Sequence, residues 1–349
     1  MKQPNHPIPV FVLTGFLGSG KTTLLNAILK DDAFANSAVI INEFGEIGLD
    51  HHLVETGDDT IIELSNGCLC CTVRGQLIET IAGLLPRTPE RILIETTGLA
   101  DPVPVLQALI ASPDIKDEIT FNGLLTVIDS NNGNEVIAKH EEAQRQVGLA
   151  DTIIFSKLDQ LDETQRSAKF DQLKQFYSRQ NPAASFLEKT RFLENLNLQF
   201  NKQDRRYDLP DIAHHHHHHN VNRHSEKISA FVLTCDKPIE QTQLDMFLDL
   251  LLSAHGDHVL RIKGLANIIG MERPVVVQAV GRNLSDYTLL KAWPDDYRST
   301  RLVVFLDGMD GSFVKRLFDG FMNVPSIDTP DKAALTDNPL AIPGFGRDK

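Results

Sequence analysis

Val10-Phe11-Val12-Leu13-Thr14-Gly15-Phe16-Leu17-Gly18-Ser19-Gly20-Lys21-Thr22-Thr23-Leu24-Leu25 decides the fold. A short, continuous apolar run reads as a buried strand. It stops at a glycine-rich loop, and Leu24, Leu25, Ile28 and Leu29 then recur at helical spacing. Gly15 to Thr22 satisfies G-x-x-x-x-G-K-[ST] at every required position. The physical basis is specific. Gly15, Gly18 and Gly20 let backbone N–H groups turn toward phosphate oxygens, with Ser19 among them. Lys21 reaches the terminal phosphates, and the Thr22 hydroxyl can ligate Mg²⁺. A chance glycine-rich turn would lack the strand before the loop and the helix after it.

Working outward, further buried strands are expected at Ala38–Ile41, Arg91–Ile94, Leu124–Ile128 and Thr152–Phe155. Helical patterns separate them: Val73, Leu77, Ile81, Leu84; Val103–Ile110, with Pro102 at its first position; and Glu135–Val147. Strands alternating with helices predict an α/β fold, the doubly wound, mostly parallel sheet of a P-loop NTPase. This first domain is expected over 1–200. Residues 201–226 are polar, carry His214–His219, and read as a flexible linker. A smaller C-terminal α+β domain follows over 227–325. It has strands at Ile228–Thr234, Val259–Ile262, Val275–Ala279 and Leu302–Leu306, and helices at Gln241–Leu252 and Phe313–Phe321. Residues 326–349 read as a flexible tail.

Three further segments bear on a nucleotide. Glu95 ends the run Ile92-Leu93-Ile94 and opens Glu95-Thr96-Thr97-Gly98. A carboxylate at the carboxyl end of a core strand beside a phosphate loop is placed to hold Mg²⁺, and Gly98 leaves room for backbone to approach the terminal phosphate. Ser156-Lys157-Leu158-Asp159 follows another core strand. Asp159 can accept two hydrogen bonds from the N1–H and exocyclic amine of guanine, a donor pair adenine lacks, while the Lys157 stem lies against the base. Asn42-Glu43-Phe44-Gly45-Glu46-Ile47-Gly48 reads as a loop that senses the γ-phosphate. Glu43 and Glu46 are candidates for the hydrolytic base, and Glu43 also for a metal ligand.

Cys68-Leu69-Cys70-Cys71 sits between a turn and a helix N-terminus, which favours thiolates. Thiolates select Zn²⁺, Cu⁺ or Co²⁺ over hard ions. Cys68, Cys70 and Cys71 leave a tetrahedral site one ligand short, which suits exchange of the ion better than permanent structure. Buried structural cysteines or a redox dithiol are the competing readings. Of the four cysteines, only Cys235 lies elsewhere, at a strand end, and it reads as structural. A disulfide framework would spread them out, so reduced thiols are expected. His51 and His52 read as surface histidines, and His214–His219, with His224 nearby, as a loose metal-gathering tract, against an internal tag or a run without metal function.

Composition narrows the rest. The chain has 349 residues, 42% hydrophobic and 23% charged, with a net charge of −13. An acidic chain disfavours nucleic-acid binding, which needs a basic surface. No stretch reaches the roughly 20 apolar residues of a membrane span, and residues 1–9 do not read as a signal peptide. A cytoplasmic location is expected, with no membrane partner.

Together the phosphate loop, Cys68-Leu69-Cys70-Cys71, Glu95-Thr96-Thr97-Gly98 and Ser156-Lys157-Leu158-Asp159 resemble the CobW-like metallochaperone GTPases, relatives of UreG and HypB. The resemblance covers roughly residues 8–185. It extends on weaker grounds to 227–325, through the strand pattern and Lys263-Gly264. It implies slow hydrolysis of GTP to GDP, coupled to capture of zinc or cobalt and delivery to a client metalloprotein or metal-cofactor enzyme. By that resemblance Gly18, Ser19, Gly20, Lys21, Thr22 and Thr23 hold phosphate, Glu95 lies on the Mg²⁺ side, Asp159 and Lys157 read the base, and Cys68, Cys70 and Cys71 hold the transferred ion. Ser156 stands where many GTPases have asparagine, which removes an amide that could donate or brace. The alternative is a nucleotide-dependent kinase or ligase with a structural zinc site.

Overall fold

The computed structural model describes residues 7–42, 61–64, 71–200 and 228–322. The first sheet has seven strands, all paired in parallel. In chain order they are β1 (Ile8–Thr14), β2 (Ser37–Asn42), β3 (Ile61–Leu64), β4 (Arg91–Thr96), β5 (Ile119–Asp129), β6 (Thr152–Ser156) and β7 (Ser185–Glu188). Their order across the sheet is β3-β2-β4-β1-β5-β6-β7. After β1 the chain builds on one side, and after β4 it crosses to the other. The reversal leaves a crevice at the carboxyl ends of β4, β1 and β5, where such sheets bind ligands.

Strand β1 is an unbroken apolar run because both its faces are covered. Val10 and Val12 join one core, and Phe11 and Leu13 the opposite one. Helix α1 (Lys21–Leu29) packs on the second face through Leu24, Leu25 and Ile28. Helices α2 (Cys71–Leu84) and α3 (Val103–Ala111) supply Leu77, Ile81, Leu106 and Leu109 to the first. Pro102 is the residue before α3.

The expected single helix over Glu135–Val147 is two. Helix α4 (Gly133–Lys139) ends at His140, whose backbone is extended, and α5 (Glu141–Leu149) starts afresh. The His140 ring lies 4.5 Å from the ring of Phe16 in the phosphate loop, a tertiary contact that local periodicity does not carry. Helices α6 (Glu163–Gln180), α7 (Lys189–Glu194) and α8 (Leu196–Phe200) complete this part.

The second sheet is antiparallel, built from β8 (Ile228–Cys235), β9 (Val259–Ala266), β10 (Val275–Val280), β11 (Asn283–Leu284), β12 (Thr288–Leu289) and β13 (Thr300–Asp307). Side-chain alternation gives it two buried faces. Leu302, Val304 and Leu306 face α9 (Gln241–His255) and α10 (Gly311–Phe321) in one core. Val303 and Phe305 join the core of the first sheet's helices. A buried charge cluster pins the junction. Both carboxylate oxygens of Asp151 lie 3.0 Å from Arg261 Nη2, and Lys263 Nζ is 2.7 Å from Oδ1. Oδ2 also accepts from the Leu124 N–H, and Arg261 Nη1 donates to the Leu149 carbonyl at the carboxyl end of α5. The linker (201–226) and tail (326–349) lie outside the described residues.

Candidate functional site

Gly15–Gly20 leave β1 and turn into α1 at the crevice. Gly20 precedes α1 with φ 96°, a left-handed conformation that glycine adopts without a Cβ penalty. The turn directs the first N–H groups of α1 into the loop, and the helix dipole adds to their attraction for anions. Lys21 is buried and its Nζ donates to the Phe16 carbonyl across the loop at 3.2 Å. Ser19 Oγ and Thr97 Oγ1 are buried with no hydrogen-bond partner among the described residues. Buried hydroxyls in that state are rare; Ser19 is in the phosphate loop, and Thr97 precedes Gly98, which packs on Leu17 of that loop. A chain of phosphate oxygens fits that donor set.

The register between β1 and β4 sets Leu13 beside Glu95. Thr22 Oγ1 donates to Glu95 Oε1 at 2.8 Å, so the hydroxyl and carboxylate expected on the Mg²⁺ side are in contact. Next along, Thr96 Oγ1 donates to Thr14 Oγ1 at 2.8 Å. Gly98 then lies on the phosphate loop: a Cβ there would fall 2.6 Å from the backbone nitrogen of Leu17. Only glycine permits that approach.

Ser156 ends β6, and Lys157 follows in the left-handed region at φ 63°. That conformation costs a non-glycine residue about 1 kcal/mol or more, and it carries Lys157 Nζ to 2.7 Å from Asp129 Oδ2. Asp159, in the short 3-10 turn Leu158–Gln160, is exposed, open to a base edge. Ser156 Oγ donates to the Ser19 carbonyl at 2.6 Å and also lies 3.2 Å from Ile128 O. The expectation that serine gives up a brace is therefore corrected: its hydroxyl braces the phosphate loop directly.

Two family models match the chain: "CobW/HypB/UreG, nucleotide-binding domain" over residues 9–188, and "Cobalamin synthesis protein cobW C-terminal domain" over 228–322. The chain belongs to the CobW/HypB/UreG family. It is 30% identical over 305 residues to the zinc chaperone YjiA of Escherichia coli, covering 85% of this chain and 93% of that protein. To the zinc chaperone CobW of a Sinorhizobium species it is 32% identical over 356 residues, covering 88% and 95%. The crystal structure of Zn(II)-bound YjiA GTPase from E. coli superposes with a TM-score of 0.65 at 25% identity, covering 90% of this chain and 99% of that one.

In this CobW/HypB/UreG member, Cys68, Cys70, Glu43, Glu46, His51, His52, His214–His219 and His224 lie outside the described residues. Cys71 is the first residue of α2, and only its backbone is described. Among the described residues no group of three or more His, Cys, Asp or Glu side chains could hold a metal ion. The flanks are placed, however. Asn42 is the last residue of β2, beside Thr96 of β4 and Leu64 of β3. The chain thus leaves β2 and β3 at the same sheet end that carries Glu95.

Residues that local sequence reading passed over complete the site. Asp129 ends β5 and anchors Lys157. Burial first, and Asp129 second, push the Tyr177 phenol above its ordinary pKa. Gln146 Nε2 donates to the carbonyls of Gly98 and Ala100, and Arg145 donates to Asp101 and, at 2.6 Å, to Asp307. Burial lowers the Arg145 pKa, but the two carboxylates more than offset this and leave it raised. For Asp129, an acidic residue closing a core strand was the available signal. For Arg145 and Gln146 no local signal existed.

Proposed function

We propose that the chain is a GTP-dependent zinc chaperone, holding the ion through Cys68, Cys70 and Cys71 with Glu43 as a further ligand, and delivering it to a client metalloprotein. It is a GTPase. In this reading Gly15, Gly18, Ser19, Gly20 and Thr23 line the phosphate chain with Lys21, and Lys21 offsets charge as the terminal phosphate leaves. Asp159 pairs with the guanine edge, Lys157 covers the base face, and Ser156 ties the base site to the phosphate loop. Thr22 and Glu95 would hold Mg²⁺, which when bound supplies positive charge to the phosphate oxygens. Gly98 is placed to bring backbone to the γ-phosphate, and the proton of the attacking water goes to Glu46, or to Glu43 while that carboxylate is not holding zinc. Zinc is favoured over cobalt because the relatives with near full-length coverage are named as zinc chaperones. The protein would work in the cytoplasm. Among the described residues no helix is long and apolar enough to cross a membrane.

The observation that carries this reading is the shared sheet end. Asn42, after which Glu43 follows, lies beside Thr96, two residues before Gly98. A γ-phosphate that moves Gly98 is therefore next to the start of the segment holding a proposed metal ligand. Coupling of this kind is reciprocal: if GTP tightens zinc, zinc tightens GTP equally. The test is Zn²⁺ affinity by chelator competition in Mg²⁺–GDP and in a non-hydrolysable Mg²⁺–GTP analogue, with His214–His219 deleted. A tenfold or greater tightening, about 1.4 kcal/mol, lost in Cys70→Ala, is expected. Equal affinities in the two nucleotide states would leave a structural zinc site and favour a phosphoryl-transfer enzyme.

A further inference from the structure

The segment after Glu95 is held at three points by α5, two residues of which reach it. Gln146 is 1% exposed, and its Nε2 donates to Gly98 O at 3.1 Å and Ala100 O at 3.0 Å. Both amide protons are thereby used on one four-residue turn, which the Ala100 N–H closes onto Thr97 O. Arg145 adds the third point through Asp101, whose other carboxylate oxygen accepts from the Val103 N–H at the start of α3. The second Arg145 nitrogen reaches Asp307, the last residue of β13 in the C-terminal domain. Asp307 is itself fixed, since its N–H donates to His258 O and its carbonyl lies 2.9 Å from His258 Nδ1.

Attachment of the two domains does not need this bridge. Asp151 with Arg261 and Lys263 already pins them, among buried groups. Arg145 differs in having its two carboxylates on opposite sides: one on the turn that follows Gly98, the other on the second sheet. An arginine fork used at both ends has little freedom left, so displacement of Asp101 is either resisted by Asp307 or passed to it. Gly98 lies against Leu17 in the phosphate loop, so the same turn meets the nucleotide end of the crevice.

We propose that Gln146 and Arg145 are positioning residues for GTP, and that Asp307 in the C-terminal domain governs, through Arg145, how firmly the Gly98–Asp101 turn is set for the γ-phosphate. The proposal rests on the GTPase reading. Asp307 holds the guanidinium on the Asp101 side. Without it, Arg145 loses one of its two anchors, and the turn must be ordered by GTP itself. That ordering cost falls on GTP and spares GDP, which has no γ-phosphate.

The experiment uses the full chain with Asp307→Asn, Arg145→Lys and Gln146→Met. Affinities for Mg²⁺–GDP and a non-hydrolysable Mg²⁺–GTP analogue are measured by fluorescence titration, alongside single-turnover GTP hydrolysis. Asp307→Asn is expected to weaken the GTP analogue at least threefold while GDP stays within twofold, and to slow hydrolysis. Gln146→Met should do the same by tenfold or more. Arg145→Lys with Asp307→Asn should lose no more than the greater single loss, because both act through one contact. Wild-type GTP-to-GDP affinity ratios in Asp307→Asn and Arg145→Lys would overturn the proposal, and so would equal losses for both nucleotides. If Gln146→Met does not fold, the variants at the less buried Arg145 and Asp307 still decide. If the wild-type chain hydrolyses no GTP, the GTPase reading fails, and the affinity ratios still judge the positioning role.

Discussion

Ser156 Oγ donates to the Ser19 carbonyl at 2.6 Å, joining the segment expected to read the base to the loop expected to hold phosphate. The two residues are far apart in sequence and both are buried. Ser156→Ala leaves the Ser19 carbonyl without that donor, a loss of about 1 kcal/mol. GDP and GTP should both bind several-fold more weakly, with little change in their ratio. Isothermal titration with each nucleotide checks this, and a selective loss of GTP alone would contradict it.

Thr22 and Glu95 touch at 2.8 Å. Thr22→Val keeps the shape and removes the hydroxyl. Hydrolysis should fall at least tenfold, and the Mg²⁺ concentration for half-maximal rate should rise. A Mg²⁺ titration of the steady-state rate reads both. An unchanged Mg²⁺ requirement would remove Thr22 from the ion's shell.

Gly98→Ala sets a methyl 2.6 Å from the Leu17 backbone nitrogen and Leu17 Cδ2. The backbone cannot give way cheaply, so the Thr97–Asp101 turn must move off the phosphate loop. The expected outcome is near-wild-type GDP affinity with GTP hydrolysis reduced at least tenfold. Equal activity would show that the turn does not serve the terminal phosphate.

Asp151→Asn strips the countercharge from Arg261, which is 2% exposed, and from Lys263. Breaking a buried pair by removing one partner costs about 3–5 kcal/mol. The denaturant midpoint should drop accordingly, while GDP affinity in buffer stays near wild type. A shift below ~1 kcal/mol would mean the pocket admits water to the cations.

Cys235 is buried, and burial is the main cause that pushes its thiol pKa up; its Sγ–H donates to the Lys237 carbonyl at 3.4 Å. A raised pKa leaves less thiolate at neutral pH, so alkylation should be slow in the native protein and rise only at high pH or on unfolding. Mass spectrometry after iodoacetamide treatment at pH 7.5 should find Cys235 unmodified. Rapid native labelling would show the strand end to be open.

The legible parts of the chain were those whose partners are near in sequence or whose burial is two-sided. Strands β1, β2, β4, β5 and β6 announce themselves as apolar runs, and the phosphate loop by its glycines and lysine. The four-residue β3 and β7 are too short to stand out. Helix α6 has 18 residues but only Leu173 and Tyr177 buried, so its apolar stripe is too thin to see. His140 at the helix break meets Phe16, more than a hundred residues away, and Arg145 meets partners in both domains. Serine at position 156 looked like a loss because side-chain inventory, without distances, favours the longer amide. At 2.6 Å the hydroxyl already reaches.

The second sheet presents Leu302 and Val304 to its own helices and Val303 and Phe305 to the other domain. Neither half of the chain has a finished exterior, so heating should melt both in a single calorimetric transition. The same arrangement ties their histories together. Phe305 and Ile228 approach within 3.8 Å and 3.6 Å of where a Cβ on Gly148 would stand. A Cβ at Gly148 would thus already stand in ordinary contact across the seam, so alanine fits there, whereas a side chain longer than alanine needs a smaller neighbour and should arise in a compensating pair. Exchanging the C-terminal half between distant members should fail unless both sides of that seam travel together.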